Sequence, residues 1–259
     1  MSNPPGVVLI TGAGRGLGLE LSLRLAADGF TIAAMGRIKE NIENVVNKIN
    51  SQGGKAAPYV GDVANYEDCQ STVAAVVNER GPLYAVINNA GIAGPTAKLE
   101  EISQKDWLEV IDTNLNGVFY MCKASIPELR KNGSGRIITI GSATGKRPLM
   151  GRTPYSSSKI ALVGLVRTLA LELGREGITV NNVSPWLLEG ERLDTVIKKQ
   201  EVVEGLAPGD GLRRLVKDTA TGTLVSNDDI HAVIAFLLQE NSRNFTGQDL
   251  NVSAGAVTF

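Results

Sequence analysis

Histidine and cysteine are scarce in this chain of 259 residues, which holds one histidine, His231, and two cysteines, Cys69 and Cys122. One imidazole, on a late helix, is too little for a metal cluster or a histidine triad, and no metal site is expected. The cysteines are too few for a disulfide scaffold and wrongly spaced for metal, so both are read as reduced, packed side chains. No apolar run approaches the roughly 20 residues that cross a bilayer. The amino-terminal residues lack the basic start, long apolar stretch and small-residue cleavage site of a secretory signal, so a cytoplasmic protein is expected. Charge of one sign is also missing: 26 Lys and Arg stand against 27 Asp and Glu, scattered rather than clustered. That balance gives no electrostatic reason for a nucleic acid or membrane partner.

Short apolar runs recur throughout: Val7–Ile10, Thr31–Met35, Ala56–Val60, Tyr84–Asn88, Arg136–Ile140, Ile178–Val183 and Asp249–Val252. They are apolar at successive positions rather than alternate ones, the pattern of strands buried on both faces. Helical periodicity fills the intervals, with Leu17, Leu21 and Leu25 four residues apart and Val73 and Val77 likewise. Strand–helix alternation predicts an α/β fold, a doubly wound parallel sheet of about seven strands with helices on both faces. Ligand then lies beyond the carboxyl ends of the strands. One domain is expected over residues 1–259, with a substrate-covering segment at about 186–225, where Gly and Pro break the rhythm.

The first strand runs into Thr11-Gly12-Ala13-Gly14-Arg15-Gly16-Leu17-Gly18 and then a leucine-striped helix. Glycines let the backbone turn sharply and approach a pyrophosphate, whose charge is favoured by the free amides of a helix N-terminus. Gly12, Gly14, Arg15, Gly16, Leu17 and Gly18 are therefore candidate dinucleotide contacts in a Rossmann-type site. The second strand ends Ala34-Met35-Gly36-Arg37, without the carboxylate that would bond the ribose hydroxyls of NAD. Arg37 and Arg15, two cations with no nearby anion, suit the extra 2′-phosphate and predict NADP(H).

Tyr155-Ser156-Ser157-Ser158-Lys159 opens a helical run that continues through Glu172. Four-residue spacing puts Tyr155 and Lys159 on one face, where an ammonium favours the phenolate and lowers the phenol's pKa. Such a tyrosine can give or take a proton near neutrality. A Tyr-x-x-x-Lys pair alone is more often structural. Here it follows Thr11-Gly12-x-x-x-Gly16-x-Gly18, Asn88-Asn89-Ala90-Gly91, Asn114 and Ser142 in order. Together these closely resemble the short-chain dehydrogenase/reductase family from Val7 to about Val252. The run Arg136-Ile137-Ile138-Thr139-Ile140-Gly141-Ser142 is particularly similar to the 3-oxoacyl-carrier-protein reductase branch.

The resemblance implies a catalytic set of Asn114, Ser142, Tyr155 and Lys159. Tyr155 is then the general acid/base, Ser142 holds the substrate oxygen, and Lys159 lowers the phenol's pKa and binds the nicotinamide ribose. Asn114 supports a water-mediated proton relay. Asn88, Ala90 and Gly91 line the cofactor, Asp62 and Val63 meet adenine, and Pro185 closes the nicotinamide end. The implied reaction interconverts a small-molecule carbonyl and a secondary alcohol, as a ketone or 3-oxoacyl reductase. A sugar or other secondary-alcohol dehydrogenase is the alternative, and a non-catalytic NADP(H) sensor or scaffold is the alternative of another class. A homotetramer, or else a dimer, is implied through the helices bearing Leu108–Leu129 and Ala161–Leu173 and through the segment near Phe259.

The chain departs from the family after the sixth strand, where it reads Ser184-Pro185-Trp186-Leu187-Leu188-Glu189-Gly190. Trp186 replaces a usual glycine, and Gly190 stands where a threonine contacts the carboxamide. An indole beside the nicotinamide pocket is expected to reshape it. Between Ser142 and Tyr155, the charges Lys146, Arg147 and Arg152 are read as solvated, the alternative being a cationic rim for a carboxylate, phosphate or phosphopantetheine. His231 is read as a surface or packing residue.

Overall fold

The computed structural model describes residues 6–259. Seven strands, β1 (Val7–Thr11), β2 (Thr31–Gly36), β3 (Lys55–Val60), β4 (Leu83–Asn88), β5 (Gly135–Ile140), β6 (Ile178–Pro185) and β7 (Asp249–Val252), form one sheet. Their order is β3-β2-β1-β4-β5-β6-β7 and all pairs are parallel. The order reverses between β1 and β4, and a crevice opens there beyond the carboxyl ends.

Successive residues of β1 serve opposite faces. Val7 and Leu9 join one apolar cluster with Val118, Met121, Leu162 and Val166, whereas Val8 and Ile10 join another with Leu21, Leu25, Ile230 and Ile234. This two-sided burial is why the strands read as continuous apolar runs. The first cluster is covered by α3 (Tyr66–Arg80), α5 (Gly117–Lys131) and α6 (Thr153–Leu173). The second is covered by α1 (Gly16–Ala27), α2 (Lys39–Ser51) and α9 (Asn227–Leu237). Helix α9 starts at Ser226 in a capping box with Asp229, which satisfies backbone N–H groups that the helix cannot.

The helix expected around Leu108–Leu129 is interrupted. Helix α4 (Gln104–Ile111) passes through a π-helical turn at Asp112–Asn116 before α5 begins. Such turns insert one residue into the helical repeat and re-aim a side chain. Asn114 sits inside this one.

The excursion after β6 folds into α7 (Glu191–Glu204) and α8 (Asp210–Lys217). It has its own small apolar cluster, in which Trp186, Leu187, Ile197 and Leu215 meet Ala143 and Val257. Trp186 is 2% exposed, with its ring 5.4 Å from the Arg147 guanidinium. The indole is thus the core of the covering segment rather than a wall of an open pocket. Parallel pairing of β6 with β7 explains this, because the Trp186 amide continues the ladder to the Val252 carbonyl at 3.0 Å. Leu187 follows in the left-handed region at φ 42°, an uncommon conformation for a non-glycine residue, where the chain leaves the sheet. No helix among the described residues is long and apolar enough to cross a membrane.

Candidate active site

The glycine loop is held by the end of β4. Thr11 Oγ1 accepts the amides of Asn89 and Ala90 at 3.1 and 3.0 Å, and Asn89 Nδ2 donates to the Thr11 and Gly12 carbonyls. This closeness dictates the glycines. Gly12 has φ +65°, and a Cβ there would lie 2.9 Å from Ala90 Cα; at Gly18 it would overlap the Gly12 carbonyl oxygen. At Gly16, φ +53°, a Cβ would instead meet open space. Helix α1 begins there with no side-chain cap and no acid in its first turn. Its amides are left for an outside anion. These features fit a dinucleotide diphosphate.

Arg37 stands just past β2 beside a cavity of about 600 Å³ that Asp62, Lys105, Leu108 and Asp112 also line. Contrary to expectation, an anion is near: Asp62 lies 3.6 Å from Arg37. Parallel pairing of Gly36 with Val60 brings the two strand ends level, which sequence distance conceals. Both side chains are largely solvated, so the pair holds weakly. Val63 turns away into the apolar core beneath the π-helical turn. Asn88 also points inward, its Nδ2 3.5 Å from Cys122 Sγ, and its neighbour Asn89 takes the loop-facing place. Pro185 ends β6, opposite Val252.

At the far end of the crevice the polar side chains converge. Asn114 is fully buried; its Oδ1 accepts the Ile92 amide at 2.8 Å, and its Nδ2 donates to the Ile92 carbonyl and Ser158 Oγ. Lys159, 5% exposed, donates from Nζ to the Ile140 carbonyl at 2.7 Å. Gly91 lies against both, since a Cβ there would be 3.2 Å from Asn114 Oδ1 and 3.6 Å from Lys159 Nζ. Ser142 lies two residues past the end of β5, and its hydroxyl accepts the Thr144 amide at 3.2 Å.

Burial alone would push the Tyr155 phenol up. The Lys159 ammonium, Arg192, the Ser142 hydroxyl and Arg152 together outweigh burial and bring it below the ordinary value of a tyrosine. Burial likewise lowers Lys159, against the opposing pull of a Tyr155 phenolate. Elsewhere burial pushes the thiols of Cys69 and Cys122 up to about 12, so neither is an accessible nucleophile.

The loop between Ser142 and Tyr155 differs from the solvated reading. Lys146 is nearly buried against Asp249 at 2.8 Å, Arg147 pairs with Asp218 at 2.9 Å, and Arg152 is buried against Tyr155. Asp249 on β7 and Asp218 just past α8 explain the first two, and neither is adjacent in sequence. His231 bonds Asp28 at 2.7 Å. Three residues that shape the site escaped the sequence reading: Thr11 as the loop's anchor, Asn89, and Arg192 beside Tyr155. Thr11 and Asn89 stood within the quoted motifs, but nothing local distinguished Arg192 from the other lid charges.

This fold and convergence define a nucleotide-binding oxidoreductase of the Rossmann type. Residues 6–201 match the short chain dehydrogenase family, and the chain belongs to it. A 3-oxoacyl-(acyl-carrier-protein) reductase of Staphylococcus aureus is 32% identical over 248 residues, covering 95% of this chain and 96% of the relative. Among solved structures, a variant actinorhodin polyketide ketoreductase with NADPH superposes with TM-score 0.93 at 31% identity, covering 100% of both chains. An NAD+-bound xylitol dehydrogenase superposes with TM-score 0.94 at 29% identity, covering 98% of this chain and 100% of that one.

Replacing Lys159 with Met removes the largest of the charges that lower the Tyr155 phenol. Tyrosinate absorbance, taken as the difference from Tyr155→Phe, is expected to titrate at higher pH in Lys159→Met than in the wild type, toward or beyond ~10.

Proposed function

We propose that the chain is an NADP(H)-dependent reductase of ketones, with 3-oxoacyl compounds as a leading substrate class, acting through Tyr155 as general acid/base. One observation carries this reading: buried Lys159 places its ammonium 5.9 Å from the Tyr155 ring centre, at the end of a crevice whose other end is a glycine loop suited to diphosphate.

Gly12, Gly14, Arg15, Gly16, Leu17 and Gly18 would hold the dinucleotide's diphosphate, and Arg37 its 2′-phosphate. Asp62 would meet the adenosine end, with Val63 supporting it from the core. Ala90, Gly91 and Pro185 would line the path to nicotinamide, with Asn88 behind them. When bound, the nicotinamide supplies or accepts the hydride. Ser142 orients the substrate oxygen and stabilises its developing charge. Tyr155 protonates that oxygen in reduction and takes the proton back in oxidation. Lys159 keeps the phenol acidic and reaches the ribose, while Asn114 holds the polar path by which the proton is replaced. The segment 186–225 closes over this site within a single domain.

Lack of a carboxylate at position 37, the ketoreductase solved with NADPH and the carrier-protein reductase relative support NADP(H) and a ketone. The similarity to an NAD+-bound xylitol dehydrogenase favours a second reading, oxidation of a sugar-type alcohol by the same residues. A non-catalytic sensor would have no need of the complete Asn114–Ser142–Tyr155–Lys159 set. We place the protein in the cytoplasm as a homotetramer. The exposed Phe119 and Ile160 on α5 and α6, and Phe259 at the carboxyl end, supply the apolar surface for assembly.

Tyr155→Phe is expected to lower turnover by about 10²- to 10⁴-fold while leaving NADPH binding, followed by fluorescence titration, close to wild type. Arg37→Asp removes one charge-assisted phosphate contact and is expected to weaken NADPH binding by roughly 10- to 100-fold relative to NADH. An unchanged NADPH-to-NADH ratio would show that Arg37 does not read the 2′-phosphate.

A further inference from the structure

Two arginines outside the catalytic set lie at the Tyr155 end of the crevice, Arg152 over the Tyr155 ring and Arg192 on Gly91, which packs against Lys159. Arg152 is the residue from which α6 starts, and its carbonyl accepts the Ser156 amide at 2.8 Å. The backbone before it is fixed. Gly151 has φ +72°, its carbonyl accepts the Ala97 amide at 3.0 Å, and a Cβ there would lie 3.1 Å from that same nitrogen. The Arg152 side chain is 3% exposed. Its guanidinium carbon lies 4.7 Å from the Tyr155 ring centre, and Nη1 donates to Thr96 Oγ1 at 3.2 Å.

Arg192 reaches the crevice from the covering segment. It lies in the first turn of α7, in the covering segment, and donates to the Gly91 carbonyl on the opposite lip of the crevice. The two guanidiniums also feel one another. Burial lowers the Arg152 pKa, against the opposing pull of Tyr155, and the charge of Arg192 adds to the lowering.

Neither arginine forms a salt bridge among the described residues, whereas the other arginines of the two segments, Arg147, Arg213 and Arg214, all do. A buried guanidinium without an anion is costly, and a second cation beside it adds repulsion. With Lys159, three positive groups surround one neutral phenol. An anion arriving between Arg152 and Arg192 would relieve that arrangement, and planar guanidiniums match a carboxylate in particular.

We propose that Arg152 and Arg192 form a carboxylate clamp, so that the preferred substrate is a small oxo acid, or the matching hydroxy acid, whose reacting carbon lies within a few bonds of a free carboxylate. This rests on the carbonyl-reductase reading and narrows it. The clamp flanks Tyr155, where the reacting oxygen must sit. The phosphate of a carrier-bound thioester is separated from its reacting carbonyl by the whole pantetheine arm and cannot reach this point. Free acids are therefore favoured over carrier-bound acyl chains. Arg192, being exposed, has one competing source of the same chemistry, the diphosphate of the cofactor.

The test uses the intact protein with NADPH, and acetoacetate and levulinate against their methyl esters. In the wild type, kcat/KM is expected to favour each acid over its ester by at least about tenfold. Arg152→Gln and Arg192→Gln should each collapse that acid-to-ester ratio by roughly 10-fold or more, carried mainly by KM for the acid. Arg152→Lys should restore part of it. The ratio cancels any effect transmitted through the Tyr155 phenol, because acid and ester share that step. Turnover with a wild-type ratio near one overturns the clamp and leaves the reductase reading intact. Weakened NADPH binding in Arg192→Gln, with the ratio preserved, assigns Arg192 to the cofactor diphosphate and overturns its place in the clamp. Absence of NADPH oxidation with every acid and ester removes the reductase reading and the clamp with it.

Discussion

A buried ammonium beside a buried phenol is the constraint on which the rest of this protein turns. Lys159 is held by the Ile140 carbonyl at the end of β5, so the helix that carries both Lys159 and Tyr155 is registered against the sheet by one strong donor. Burial would keep both groups neutral if either stood alone. The Lys159 charge, with Ser142 and two arginines, outweighs burial at Tyr155 and brings the phenol below its ordinary value. The π-helical turn at Asp112–Asn116 serves the same end from the other side, bringing Asn114 against Ser158 and the Ile92 backbone. A regular helix through this segment would aim that amide elsewhere.

The crevice therefore has two chemically different ends joined by the parallel topology. The glycine loop and the uncapped amides of α1 suit an anion, whereas the far end gathers Lys159 and Arg152 around the Tyr155 ring. The covering segment bridges the two lips through Arg192 and Gly91 and is stabilised by its own cluster around Trp186. Its small core explains how the tryptophan after Pro185 is accommodated: the indole packs inward, beneath Arg147.

The central strands were legible in the sequence almost to the residue, because two-sided burial leaves uninterrupted apolar runs, whereas the edge strands β3 and β7 are only partly buried. The loop glycines, Tyr155, Lys159, Ser142 and Asn114 were legible because their spacing is tied to one backbone path. What stayed hidden was pairing across the fold. The partners of Arg37, Lys146 and Arg147 are Asp62, Asp249 and Asp218, brought near by strand register and by the covering segment. The family resemblance implies cofactor contacts at Asn88 and Val63, and the fold turns both side chains inward, Asn88 toward Cys122 and Val63 into the apolar cluster past β3. Arg192 was indistinguishable from other lid charges until the lid was folded over Tyr155.

The central claim is that this crevice passes hydride between nicotinamide and a carbonyl carbon. Multiple-turnover reaction of the intact protein with NADPH deuterated at the transferable C4 position, followed by mass analysis of the products, tests it directly. The account predicts one deuterium on the carbinol carbon of the alcohol formed and a slower rate than with unlabelled NADPH. Tight binding of NADPH with no deuterium reaching any ketone or oxo acid would contradict it.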